Sequence, residues 1–559
     1  MLDELGGWDE GFRHYGEDID LAYRAARAGW ERVRICDLTE DSRTVVPGSL
    51  FLARTGFKSD GKAYIEAAIR AGAVAVLSDR ETDLPRVDVP VLHAHDLAQV
   101  SALLGERFYG NPSSNLDLIA VTGTNGKTTT TWLAWQILNA VGRRAGLIGT
   151  VVIDDGTEVA PAMMTTPPSI EISRTLARMV ECGCTAAVFE ASSHALHQKR
   201  VEALHIDVGV FTNLTGDHLD YHKTMEHYAA CKARLFEMLQ PDGTAIVNAG
   251  DPAAAGMIRD CEAPVIRCEV VREGATWLPS GNRAHVQIMS EALAGMTLRM
   301  GGPWGEIETC VPLIGRYNAM NVLQAVAACH AIGLSSAELQ RGLRKVSAPA
   351  GRLQPVHDER DDLAVYVDFA HSDDALRNVL GEVGAVMPHR AGRAGQVHDA
   401  AGAASRAERG GRLWVVFGCG GDKDRTKRPR MGKVASELAD VVVVTSDNPR
   451  TERPSDIVDE ILGGVPAELR KNVLVQVDRE KAIELAICQA QAGDVIVLAG
   501  KGHETEQILP TGKVGPEGTK ETMKIHFDDR EVASKYLAMR RAGASVVVKA
   551  SSERRTSTT

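Results

Sequence analysis

Residues 118–130 read LIAVTGTNGKTTT. A short apolar run, 118–122, leads into Gly123-Thr124-Asn125-Gly126-Lys127-Thr128-Thr129, and a stretch with helical periodicity, 129–141, follows. Glycines there let backbone N–H groups close on phosphate oxygens, and the N-terminus of the following helix adds positive potential. Lys127 can reach the β- and γ-phosphates of a nucleotide, and the Thr128 hydroxyl can hold Mg²⁺. The match is to G-x-x-G-K-T, because Val121 stands where the full Walker pattern has its first glycine. A strand–loop–helix of this kind implies a doubly wound, largely parallel sheet.

The rest of the chain repeats that alternation. Apolar runs at 73–77, 186–190, 208–212, 245–248, 413–417, 441–445 and 495–499 have the pattern of strands buried on both faces. Helical stretches such as 129–141 and 169–182 lie between them. The chain is thus expected to be α/β. With 559 residues it is too long for one domain, and a prior of roughly 100–200 residues per domain gives about three or four. The turn-rich runs 111–115 and 347–351 mark domain starts.

Composition narrows the class. The formal net charge of −11 disfavours broad nucleic-acid binding. No apolar run reaches the ~18 residues of a membrane span, and the acidic, mixed first twenty residues are not a secretory signal. The ten cysteines are scattered, and Cys182-x-Cys184 lacks a second pair, so reduced cytosolic thiols and no zinc site are expected. Residues 389–411 and the tail 542–559 have the composition of disordered segments.

Two further strand ends place chemistry beside the loop. The run 186–190 ends in Glu190, and the run 208–212 leads through Asn213 to Asp217-His218. Strand C-termini gather at one edge of such a sheet, so Glu190 and His218 can face phosphates held at Lys127. A carboxylate and an imidazole there suit Mg²⁺ bridging ATP and a second anion.

Several motifs in order now carry a family resemblance: the loop, MTTPPS (164–169), EASSHALHQKR (190–200) and TNLTGDHLDYHKTMEHYAACKARLF (212–236). Together they resemble the Mur ligases, from about residue 34 to about 539. The resemblance implies a three-domain architecture with a central P-loop-type parallel sheet and a Rossmann-like C-terminal domain. Expected boundaries are 34–110 for a UDP-substrate domain, 111–349 for the ATP-binding domain and 350–541 for the amino-acid domain.

It also implies an activity. The expectation is a cytoplasmic, monomeric, ATP-dependent ligase acting through an acyl phosphate, with Mg²⁺, on a UDP-linked muramoyl dipeptide and meso-diaminopimelate. Alternatives are a lysine-adding homologue, another Mur or folylpolyglutamate-type ligase, or a non-catalytic nucleotide-binding module. Intact Lys127, Thr128, Glu190, Asn318, Arg352 and Asp368 argue against the last of these.

Residue by residue, Ser42 and Phe57-Lys58-Ser59 resemble the UDP contacts. Thr165, Thr166, Ser192, Gln198 and Arg200 resemble the residues that hold the muramoyl peptide, although Met164 replaces the family's Asn. Lys232 matches the lysine that the family carbamylates with CO₂ to make a metal-ligating carboxylate; composition alone makes it a solvated helix lysine. Asn318 and Asn321 resemble residues near the adenine, and their i, i+3 spacing puts both on one helix face. Arg352, Asp368 and His371 resemble ATP contacts, while Phe369, Ser372 and Asp373 depart from the family's Tyr and Thr-Pro.

Next come FGCGGDKDRTKRP (417–429), TSDNPR (445–450) and GKGHE (500–504). Asp447-Asn448-Pro449-Arg450 is the family's form for a diaminopimelate acceptor. A guanidinium suits that acceptor's second carboxylate. Gly500 and Glu504 resemble readers of its distal end, and Lys423 stands where Arg is common. Residues 1–33, with Tyr15-Gly16-Glu17-Asp18, instead resemble the late part of a family-two glycosyltransferase. Without the nucleotide-sugar domain such an enzyme needs, this piece is expected to be a fusion scar or a mis-set start, without activity.

Overall fold

The computed structural model describes residues 34–56, 60–79, 84–272, 281–387, 411–514 and 519–543. The segments read as a glycosyltransferase fragment and as disordered lie almost wholly outside these, as do Phe57, Lys58 and Ser59. The chain divides into two compact units. One holds the residues up to Leu116 together with Thr166–Glu181 and His194–His205; the other holds Asp117–Thr165, Cys182–Ser193 and everything from Ile206.

The first unit carries a four-stranded parallel sheet in chain order: Asp37–Thr39, Ser49–Ala53, Ala75–Ser78 and Val91–His93. The stretches 166–181 and 194–205, which fall inside the expected 111–349 segment, cluster here. Physical contacts explain the first of them. Helix Ser169–Glu181 packs on Leu97–Phe108, where Gly105 leaves room for Ile170 and Ser173. Buried Glu106 accepts hydrogen bonds from the hydroxyls of Ser173 (2.7 Å) and Ser113 (2.5 Å).

The second unit carries an eleven-stranded sheet and a six-stranded sheet. At the centre of the larger one, Asp117–Thr122 lies between Val208–Phe211 and Ala186–Glu190, all parallel. Leu118 to Val121 are fully buried, which is why the run is apolar on both faces. Helices Lys127–Ala140 and Arg316–Ala331 cover one face through Leu133, Ile137, Val322 and Val326. Each such side chain contributes about 1.5–3 kcal/mol. Helix Met225–Glu237 covers the other face, with Phe236 over Gly209. Both edges turn antiparallel, through Arg283–Ala292, Gly295–Gly302 and Gly305–Val311 on one side and Val152–Asp154 and Val159–Pro161 on the other. Gly295 (φ +140°) and Gly305 (φ +93°) make the tight turns of the longer meander.

The six-stranded sheet runs Gln354–Pro355, Ala364–Asp368, Val495–Ala499, Leu413–Phe417, Val441–Val444, Val473–Val475, parallel after its first pair. Met431, Ile457 and Ile461 pack on one face; Ile483, Ile487 and Leu537 pack on the other. A fully buried Arg479–Asp529 ion pair (2.6 Å) ties the helices on that second side. No helix among the described residues is long and apolar enough to cross a membrane.

Candidate active site

The phosphate loop leaves the central strand at Gly123, whose φ is +146°. A Cβ there would lie 1.9 Å from the Thr212 hydroxyl. The loop is tied to the neighbouring strand end. Thr124 N–H donates to the Asn213 carbonyl, and Asn125 N–H donates to the Asn213 side-chain oxygen, both at 2.9 Å. Buried Gln324 in turn donates to the Phe211 carbonyl (2.7 Å) and fixes that strand's end. Gly126 (φ +88°) caps the helix, which begins at Lys127 rather than at residue 129. Lys127 and Thr128 therefore stand in its first turn, where the helix dipole favours anions.

Glu190 is fully buried at the end of its strand. Its carboxylate accepts from the Thr128 hydroxyl (3.1 Å), the Thr150 N–H (2.7 Å) and the Thr150 hydroxyl (2.9 Å). The Thr165 hydroxyl lies within hydrogen-bond distance of that of Thr150 (3.1 Å). Arg352 reaches Thr128 from the other sheet (3.4 Å) and lies over the Phe369 ring, 4.8 Å from its centre. Asp368 accepts the N–H groups of Leu353 (2.7 Å) and Ala370 (2.8 Å); burial pushes its carboxyl up while Arg352 opposes the shift. His218 sits at φ +54° beside Asp217. Burial, Lys127 and Lys232 lower its proton affinity, and Asp217 opposes them.

These groups surround a cavity of about 740 Å³. Thr124 to Thr129, Thr165, Glu190, His218, Asn318, Asn321, Arg352, Asp368 and His371 all line it. Asn321 donates to Asn318 (3.1 Å), and its side-chain oxygen lies 2.5 Å from where a Cβ on Gly126 would be. Lys232 does not line the cavity. It is buried beneath the loop, donating to the Gly123 carbonyl (2.7 Å) and lying 4.6 Å above the Tyr228 ring. Burial, and after it the Lys127 charge, hold its amine well below the usual 10.5.

The motifs at 445–450 and 500–504 form a second cluster within the same unit. The Asn448 amide donates to Glu504 (2.7 Å), and buried Lys501 donates to Glu504 (3.0 Å). Asp447 is buried, and that burial raises its carboxyl. Gly500 holds left-handed backbone (φ +109°), and a Cβ there would lie 3.7 Å from the Asp447 carboxylate. Arg450 (φ +51°) donates to the Gly421 carbonyl (2.8 Å), on the loop that carries Lys423. In the first unit, Arg200 donates to the Thr166 carbonyl (2.6 Å) and to Gln198 (2.8 Å), while Ser42 lies in the turn closed by Thr44 on Asp41.

Sequence reasoning passed over Thr150, Asn213 and Lys501. Thr150 carries no motif signal. Lys501 lies inside GKGHE, where its burial under two acidic partners could not be read.

Three family models match this chain. Residues 35–109 match the Mur ligase family catalytic domain, 121–329 the Mur ligase middle domain, and 394–502 the Mur ligase glutamate ligase domain. The 2,6-diaminopimelate ligase of Chlorobium phaeobacteroides is 39% identical over 509 residues, covering 90% of this chain and 93% of that one.

This chain belongs to the Mur ligase family. As such it is an ATP-dependent ligase with that family's three-domain α/β architecture. The 2,6-diaminopimelate ligase of Geobacillus kaustophilus is 40% identical, covering 89% of this chain and 94% of that one. A solved UDP-N-acetylmuramoyl-L-alanyl-D-glutamate–2,6-diaminopimelate ligase superposes with a TM-score of 0.61 at 29% identity, covering 96% of this chain and 99% of that one. The MurF ligase of Thermotoga maritima in complex with ADP shares the fold, at a TM-score of 0.59 and 16% identity over 91% of this chain and 99% of that one.

Proposed function

We propose that this ligase joins meso-diaminopimelate to UDP-N-acetylmuramoyl-L-alanyl-D-glutamate in the cytoplasm, acting as a monomer. The observation that carries the reading is the cavity in which the phosphate loop, the Thr128–Glu190 pair and Arg352 meet. The names of the relatives supply the substrates.

A carboxylate is a poor electrophile near neutral pH, so ATP passes its γ-phosphoryl group to the substrate's glutamate carboxylate. The acceptor's amine attacks the resulting acyl phosphate, loses a proton, and inorganic phosphate leaves with the C–O electron pair. Lys127 and Arg352 stabilise negative charge on the transferring group, a mainly electrostatic role. The hard oxygens of Thr128 and Glu190, 3.1 Å apart, fit Mg²⁺, with His218 and a carbamylated Lys232 assigned to a second ion. When bound, the metal neutralises phosphate charge.

Asn318, Asn321, Asp368 and His371 are assigned to ATP. Ser42 and residues 57–59, in the segment 34–110, are assigned to the UDP part. The contacts of Thr165, Thr166, Ser192, Gln198 and Arg200 with the muramoyl peptide rest on the family resemblance. Arg450 pairs the far carboxylate of the acceptor, with Lys423, Asp447, Asn448, Pro449, Gly500 and Glu504 around it. Release of ADP tests the scheme: it should require the UDP-dipeptide and the diamino acid together. Steady ADP release from ATP alone would refute it.

A further inference from the structure

Arg428 is fully buried in the first turn of helix Lys427–Leu438. A cation is disfavoured at that end of a helix, and its place is explained by what it grips. One guanidinium nitrogen donates to Glu452 (2.8 Å) and to the Gly420 carbonyl (3.2 Å). The other donates to Glu452 and to Glu460, each at 2.9 Å. The same Glu452 carboxylate accepts the Asp422 N–H (2.6 Å), and Asp422 accepts the Thr451 N–H (3.1 Å) and hydroxyl (2.8 Å).

Two loops are thereby clamped together, one carrying Lys423 and the other Arg450. Their backbones touch closely: Gly421 N–H donates to the Asn448 carbonyl (2.9 Å), and a Cβ on Gly421 would lie 1.9 Å from the Pro449 carbonyl. Asp422 (φ +54°) and Arg450 (φ +51°) both hold left-handed backbone without being glycine. Such conformations persist only where the surroundings over-determine them. The Arg450 guanidinium then takes its direction from the Gly421 carbonyl.

We propose that Arg428, Glu452 and Asp422 form a positioning clamp that sets the Arg450 guanidinium and so fixes the preference for a dicarboxylic over a monocarboxylic diamino acid. This rests on the assignment of Arg450 to the acceptor's far carboxylate. None of the three clamp residues needs to touch the acceptor. A bidentate pairing tolerates little misplacement, so loosening the clamp weakens acceptor selection and leaves ATP binding alone.

The test compares Glu452→Gln, which keeps the shape and loses the charge, with Asp422→Asn, an exposed change at a position where Asn tolerates left-handed backbone. KM for diaminopimelate, KM for ATP and the ratio of kcat/KM for diaminopimelate over lysine are measured beside the melting temperature. The clamp predicts a rise of about tenfold or more in KM for diaminopimelate, a fallen ratio, and KM for ATP within about twofold. Adding Glu452→Gln to Arg450→Ala should cost little more than Arg450→Ala alone, because coupled positions are not additive. An unchanged ratio in both variants overturns the proposal, as do equal losses for ATP and diaminopimelate. An unmodified ligase that shows no preference for diaminopimelate over lysine overturns the Arg450 assignment itself, and the clamp's role with it.

Discussion

Lys127 and Lys232 donate to the same acceptor: their amines lie 2.9 Å and 2.7 Å from the carbonyl oxygen of Gly123. One lines the cavity and the other is buried under the loop. Burial and its neighbour's charge hold Lys232 well below its usual 10.5. A neutral amine is the form that adds to CO₂, so the direction of the shift supports the carbamate proposed for this residue. Lys232→Ala should lose activity severely and regain part of it with added acetate, which can occupy a vacated carboxylate position. Full activity in Lys232→Ala would return the residue to a structural role.

In the proposed scheme Lys127 offers the loop's cation to the transferring phosphate. Lys127→Ala should lower ligation by roughly 10³-fold, the scale of removing a transition-state stabiliser. Initial-rate assays at saturating ATP check this, and near-normal turnover would remove the loop from the mechanism.

Gly126 combines φ +88° with an Asn321 oxygen 2.5 Å from a Cβ position. Gly126→Ala should destabilise the fold by about 1–3 kcal/mol through backbone strain and the clash. It should also raise KM for ATP by moving Asn321. Urea unfolding with parallel ATP titration measures both.

The imidazole of His503 is pushed down to about 4, by burial first and then by Arg352. It packs 5.1 Å from the centre of the Phe369 ring. Between its usual 6.5 and about 4, the unfolded chain takes up a proton that the folded chain refuses. Stability at this group is therefore lost as pH falls through that window, by up to about 3 kcal/mol. His503→Asn should melt with a shallower acid dependence between pH 6.5 and 4 than the unmodified protein. An identical slope would show that the group does not titrate this way.

The loop and Glu190 were legible because strand, glycines and acid lie on a parallel-sheet pattern that puts strand ends together. The start of the helix at Lys127 was missed by two residues, since Gly126 as a left-handed cap is a matter of φ, which composition does not show. Lys232 was opaque to composition: nothing in a polar helical run reveals that one lysine points inward onto a carbonyl. Helix periodicity at 169–181 shows an apolar face but not its partner, so its association with the Leu97–Phe108 helix had to come from the structure. The antiparallel meander over residues 283–311 is built from two tight hairpins between sequence neighbours, and its strands were not among the apolar runs read from the sequence. The ion pair between Arg428 and Glu452 joins residues 24 apart and left no local signal.

The most direct test of the account is the acceptor competition: kcat/KM for amide formation on UDP-N-acetylmuramoyl-L-alanyl-D-glutamate with meso-diaminopimelate and with lysine. The two acceptors differ chiefly by one carboxylate, and losing a charge-assisted pair at Arg450 removes about 1.5–3 kcal/mol. The account predicts a preference for diaminopimelate of at least about 10–100-fold, reduced in Arg450→Ala. Equal values for the two acceptors, or a preference for lysine, would contradict it.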